Sequence, residues 1–213
     1  MNRPLMAVMG LVITCTSSGC GETFGGMLYF LNILHKPSIP ARFKLTTGPL
    51  LILVDDDLSL LTWPQGRDLL AEEIGRHLRE ANVKVQVIPN YKLDAMRRAD
   101  PLLDDKSISE IGSELGAEQI LWLQFREFVA TKQVETAVRA ARCTMRVKVF
   151  DPHAKRKAEM RVWPSFREGE FVSISKSASE LIQYASDAEV ARMIVGETAD
   201  AVAKLFYKHR PDE

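Results

Sequence analysis

The chain has 213 residues, 46% hydrophobic and 26% charged, with 28 Lys and Arg against 28 Asp and Glu and only 3 cysteines. A zero formal charge leaves no overall field to draw in nucleic acid, and so high an apolar fraction excludes disordered tails and polyelectrolyte binders. The size suits one globular domain that buries roughly 70% of its extended-chain surface without covalent staples.

Arg3 is the single charge between Met1 and Gly19, and it precedes the apolar run Leu5–Thr16, which ends in the small residues Ser17, Ser18 and Gly19 before Cys20. That run is well short of the roughly 20 residues a spanning helix needs, so it reads as a signal peptide over residues 1–19. Glu22 breaks any continuous apolar helix from Leu5 to Leu34, because a carboxylate at bilayer depth costs a few kcal/mol. The Gly19-Cys20 junction resembles a bacterial lipoprotein signal. That resemblance implies cleavage before Cys20, acylation of its thiol and terminal amine, and an anchor at the periplasmic side of the cell membrane or outer membrane. Lys36–Pro49 contains Pro37, Pro40, Gly48 and Pro49, so residues 20–49 are expected to form a lipidated anchor and extended linker.

The domain is expected over residues 50–213. Leu50–Val54 is a continuous apolar run ending in Asp55, Asp56 and Asp57, the form of a strand buried on both faces. Arg67–Ala81 places Leu70, Ile74 and Leu78 on one helical face, and Val83, Val85 and Val87 alternate with polar residues as a strand stopped by Pro89. Tyr91–Lys106 is charged and weakly periodic and reads as loop with room for a short helix. Ser107 and Glu110 form a capping box before Ile108 and Ile111, and Gly116 suits the end of that helix.

Ile120–Phe128 reads as strand. Thr144–Phe150 and Ala158–Trp163 alternate on either side of a charged turn and form a hairpin, with Cys143 a small hydrophobe at its edge. Ser186 and Glu189 open a long closing helix marked by Val190, Ile194, Val202 and Phe206. The order is near βαβαβββα, which predicts an α/β fold: a single three-layer domain with a mixed sheet of about five strands.

This series, with the Leu115-Gly116-Ala117-Glu118 turn into a strand and the Val149-Phe150-Asp151 corner, resembles the α/β domain of the curli secretion lipoprotein, the penicillin-binding-protein activator lipoproteins and the amino-terminal domain of TolB. The likeness spans Leu50 to His209. It implies a module without enzymatic activity or cofactor that works with other envelope proteins. Nothing in the chain supplies the inserted strands of a membrane barrel, so pore formation is not carried over.

Three constellations remain. Leu50–Asp57 also looks like the first strand and acidic pair of a receiver domain, but no apolar strand precedes a phosphoacceptor near Asp100. The same acidic strand end could make the chain an exported hydrolase or a divalent-ion-binding protein, since hard cations prefer carboxylate oxygens. The pattern Trp-Pro-x-x-Arg-acid occurs at Trp63, Arg67 and Asp68 and again at Trp163, Arg167 and Glu168. The two indoles are either core residues or, if exposed on one face, anchors for an envelope protein, a role in which Trp and Arg are enriched. Finally, Arg146 and Lys148 with the turn residues Lys155, Arg156 and Lys157 concentrate positive charge that suits a solvated face, anionic lipid headgroups or an acidic partner. His35, His77, His153 and His209 stand without ligand spacing, and no nucleophile elbow or phosphate loop occurs, so no metal centre or cofactor is expected.

Overall fold

A computed structural model describes residues 38–61, 63, 65–100, 102–130, 141–156 and 160–211. Strand β1 (Pro49–Asp55) is followed by α1 (Gln65–Glu80), β2 (Gln86–Val87), α2 (Asn90–Ala99), α3 (Ile108–Glu114), β3 (Gln119–Ala130) and β4 (Ala141–Phe150). The remaining elements are β5 (Arg161–Trp163), β6 (Glu170–Lys176), the single turn α4 (Ala178–Leu181) and α5 (Asp187–Ala203). They build one mixed six-stranded sheet in the order β2-β1-β3-β4-β5, with β6 also paired to β4. The fold is α/β, as the periodicity predicts.

The parallel half is a pair of crossovers. β1 pairs with β2 on one side and β3 on the other, both parallel. α1 therefore covers one face on the way to β2, and α2 and α3 cover the other on the way back to β3. Leu50–Val54 is buried throughout, because helices lie over both faces of that strand. Leu50, Ile52 and Val54 join a core with Leu70, Ile74 and Leu78 of α1 and Val190, Ile194 and Val202 of α5. Leu51 and Leu53 face the other way, into a smaller core with Leu93, Leu103, Ile111 and Trp122.

The antiparallel half has helices on one face only. Along β4, Ala141, Cys143, Met145, Val147 and Val149 are buried while the residues between them are half-buried; the buried set packs under α1 and α5. The second face of β4 carries Arg142, Thr144, Arg146, Lys148 and Phe150; of these Phe150, at the end of the strand, packs against the smaller core that α2 and α3 share. β5 and β6 lie end to end along the outer edge of β4, Trp163 opposite Val149 and Glu170–Lys176 opposite Val147–Ala141.

Several elements differ from the sequence reading. The valine strand shortens to Gln86–Val87 because Val85 N–H bonds back to the Val83 carbonyl, so the chain turns before it pairs. The stretch expected as loop contains α2, in which Leu93 is the one fully buried side chain; a helix with so narrow an apolar stripe leaves almost no period to read. The Ser107–Glu110 capping box forms, with Ser107 N–H donating to Glu110 Oε2 at 2.7 Å. At the second site Ser186 Oγ accepts the Glu189 N–H at 3.3 Å, but Glu189 accepts from Ala185 N–H instead of Ser186.

Residues 39–46, within the stretch expected as linker, lie along the domain. Ile39 bridges to His209, Arg42 and Phe43 donate N–H bonds to the Leu205 carbonyl, and Leu45 enters the larger core.

Candidate functional site

The two tryptophans do not share a surface. Trp163, opposite Val149, points to the helix-covered side, where its ring centroid lies 5.8 Å from both Phe43 and Phe206. Trp63 sits between β1 and α1, half-buried, with the Arg192 guanidinium carbon 5.8 Å from its ring centroid. Arg192 lies near the start of α5 and Phe206 just past its end, so the indoles are separated by about 20 Å of helix length. Both indoles are half-buried; strand alternation packs Trp163 against Phe43 and Phe206, while Trp63 borders a groove.

Trp63 borders a groove of about 390 Å³ whose wall includes Leu60, Phe128, Ala188, Ala191 and Arg192. β1 delivers the loop carrying Leu60 and Trp63, β3 contributes Phe128 and α5 the remainder. The sequence marks Trp63, but Phe128 and Arg192 are distant in the chain and have no local signal of their own.

Arg67 belongs to a different place. It lines a cleft of about 260 Å³ beyond the carboxyl end of β1, together with Asp55, Asp56, Asp57, Arg97, Lys106 and Trp122. Open α/β sheets commonly receive ligands at such strand ends. Here the carboxylates have protein partners. Asp56 accepts the Leu60 and Leu61 N–H groups at 2.8 and 3.1 Å, closing its own loop, and Asp57 accepts Gln124 Nε2 at 3.0 Å. Burial, with the Asp57 charge next in weight, holds the Asp55 carboxyl above its ordinary range. Among the described residues no three His, Cys, Asp or Glu side chains converge as a cation site. Backbone and amide N–H groups thus occupy oxygens of Asp56 and Asp57.

The open face of β4 forms the third place. Near its start, Arg142 pairs with Glu127 at 3.2 Å. Further along, Arg146, Lys148, Arg161 and Arg167 have no carboxylate within ion-pair distance among the described residues. Lys148 Nζ stands 5.3 Å from the Trp122 ring centroid, and the Arg146 guanidinium carbon 5.7 Å from that of Phe171. Burial first, then the charges of Arg146, Arg161 and Arg167, push the Lys148 ammonium below the ordinary lysine range. The Nε atoms of Arg146 and Arg161 are buried without a hydrogen-bond partner.

Arg167 is exposed in the β5–β6 loop, and Lys155 and Arg156 are exposed in the turn after β4. Lys157 and Cys20 lie outside the described residues. Alternation made Arg146 and Lys148 legible as an outward row. Phe171 has no signal of this kind in the sequence. Among the described residues no helix is long and apolar enough to cross a membrane.

No protein-family model and no curated protein matches the chain. Similar solved structures include the PelC dodecamer from Paraburkholderia phytofirmans, at 10% identity and a TM-score of 0.41, covering 78% of this chain and 95% of that one. The lipoprotein GNA1162 from Neisseria meningitidis is 15% identical with a TM-score of 0.42, covering 73% and 97%. The hypothetical protein CT253 from Chlamydia trachomatis is 20% identical with a TM-score of 0.40, covering 74% and 98%.

Proposed function

We propose that the chain is a membrane-anchored envelope lipoprotein, acylated at Cys20, whose α/β domain acts without catalysis as a protein-binding or assembly module. The observation that supports the binding role is the Trp63 groove. A half-buried indole with a guanidinium against its ring, bordered by Leu60, Phe128, three alanines and Asp187, has the composition of an interface hot spot: a large apolar anchor beside a cation. The anchor follows from the Gly19-Cys20 junction after a short apolar run, and two or more acyl chains hold a protein where one binds only marginally.

Two measurements test this reading. The intact mass of the cell-derived protein is expected to be that of a chain beginning at an acylated Cys20; an unmodified chain still carrying Met1 removes the lipoprotein reading. A photocrosslinking residue at the exposed Ala188 position, in intact cells, is expected to give one adduct with an envelope protein. Trp63→Ala should weaken that adduct at least tenfold, as truncating a hot-spot residue does. An adduct of unchanged yield removes the groove.

A further inference from the structure

β5, β6 and the loop between them carry exposed apolar side chains beside cations that have no carboxylate within ion-pair distance among the described residues. Val162 is 45% exposed and Phe166 and Phe171 are each 49% exposed, three large hydrophobic side chains within residues 162–171. Scattered exposed hydrophobics are ordinary, whereas a group of them interleaved with cations marks a contact surface. Behind them stand Arg146, Lys148, Arg161 and Arg167. Phe171 lies opposite Arg146 in the β4–β6 ladder and Arg161 opposite Phe150 in the β4–β5 ladder, so the rows of the sheet itself bring the cations and rings together.

The cluster is held in shape. A side chain at Gly169 would lie 2.9 Å from Arg146 Cγ and 2.9 Å from Lys148 Cε, so the loop backbone rests on the stems of both cations. Arg161 Nη2 donates to the Ser165 carbonyl at 3.2 Å, tying the strand to the same loop. These contacts hold the stems of Arg146 and Lys148 and the head of Arg161 against one loop, where the charges of Arg146, Arg161 and Arg167 act on Lys148 and Glu168 offsets part of them.

We propose that this surface, the β5–β6 loop with the outward face of β4, is a docking site for a bilayer rich in anionic phospholipid. Both halves of the surface enter the argument. Cations meet headgroup phosphates, and apolar tips beside them enter the boundary between headgroups and acyl chains. An acidic protein segment would match the cations alone unless it also carried apolar side chains, whereas a bilayer supplies both phosphates and acyl chains over one continuous surface. The Trp63 groove lies on the opposite, helix-covered side of the sheet, so the bilayer and a protein partner can be engaged together. The docking needs no acyl chain, although acylation at Cys20 would hold the surface at the membrane.

The test uses the full chain with Cys20→Ser, so that the apolar amino terminus is common to every sample and acylation is absent from all of them. Flotation is measured with vesicles of phosphatidylglycerol and phosphatidylcholine in equal parts, and with phosphatidylcholine alone, at low and high salt. Binding is expected to favour the anionic vesicles and to fall with salt. Replacing Phe166→Ser and Arg167→Glu together, both exposed, should weaken it by about tenfold or more, given about fivefold for each interfacial cation lost. Lys84→Glu, an exposed reversal elsewhere on the molecule, should not. The proposal is overturned by equal binding to neutral vesicles, by an inert F166S/R167E pair, or by an equal loss in K84E. It is also overturned if the vesicles are ignored while a crosslinker at position 166 captures an acidic protein. Trp63→Ala is expected to leave flotation unchanged, which separates the failure of this site from the failure of the groove.

Discussion

Cys143 shows how much of a residue's chemistry its place in a strand decides. It is fully buried on the helix-covered side of β4, opposite Phe128 in one neighbouring strand and Ile174 in the other. Burial pushes its thiol up from 9.0 to about 12, and the nearby Thr198 hydroxyl offsets only part of that rise. The folded state therefore keeps a proton that the unfolded state gives up earlier. Linkage then has a definite sign: stability is complete below pH 9 and declines as pH climbs toward 12, by at most about 1.4 kcal/mol for each pH unit. In a chain with Cys15→Ser and Cys20→Ser, a thiol reagent at neutral pH should react only as fast as the protein unfolds. Cys143→Ala should remove that part of the alkaline decline. Rapid labelling under native conditions, or an alkaline profile unchanged by C143A, excludes a buried neutral thiol. The same desolvation acts on Asp55, where the neighbouring carboxylates of Asp57 and Asp56 add to it.

At the scale of elements, what could be read from the chain was what leaves a period. β1 is a continuous apolar run, β4 a strict alternation and α5 a broad apolar stripe, and each formed close to its expected bounds. α2 left no such trace because it rests on the sheet through Leu93 with Met96 half-buried beside it, too narrow an apolar stripe to show a period. The two-residue β2 could not be told from a longer valine strand, since the backbone turn at Val83–Val85 leaves no mark on the alternation. The candidate surfaces were legible only in part for a related reason: Trp63 could be singled out, but Phe128 and Arg192 reach it through tertiary packing.

Helix α3 shows local signals that succeed. Gly116 takes a φ of +71°, and Ala117 N–H bonds to the Gly112 carbonyl at 2.8 Å while Gly116 N–H bonds to that of Ser113, a Schellman end. Two glycines four residues apart should then fail for different reasons. At Gly112 an added Cβ would lie 2.4 Å from Ile120 Cδ1 and 3.2 Å from Pro152 Cβ, so Gly112→Ala overpacks the seam between α3 and β3 and should cost about 1–3 kcal/mol. At Gly116 nothing stands within 4 Å, and Gly116→Ala should cost about 1 kcal/mol through backbone conformation alone. Gly116→Asn should recover part of the loss, and Gly112→Ser should recover none. Denaturant midpoints for the four variants decide this, and recovery at position 112 would contradict the close approach.

For the molecule as a whole, the consequential feature is unequal cover. The parallel half of the sheet is sealed on both faces and the antiparallel half on one, which sets the cationic open face and the Trp63 groove on opposite sides. The segment 39–46 matters to that arrangement because it ties the entry of the chain to the domain. Arg42 pairs with Glu170 at the start of β6, Phe43 packs on Trp163, and Gln119 Nε2 donates to Thr46 Oγ1. Leu45, 5% exposed, belongs to the same core as α1 and α5. A freely moving linker would tolerate truncation of these side chains. A packed strap would not: Leu45→Ala should cost about 2–4 kcal/mol through lost burial and the cavity left behind, seen as a lower denaturant midpoint at unchanged slope. Phe43→Ala should also loosen Trp163, whose other aromatic neighbour is Phe206, and a red shift of tryptophan emission in the native baseline reads that directly. If both variants unfold at the wild-type midpoint with unshifted emission, residues 39–46 are a tether that merely lies near the domain. If both fall, residues 39–46 are a packed part of the domain, entering its core at Leu45.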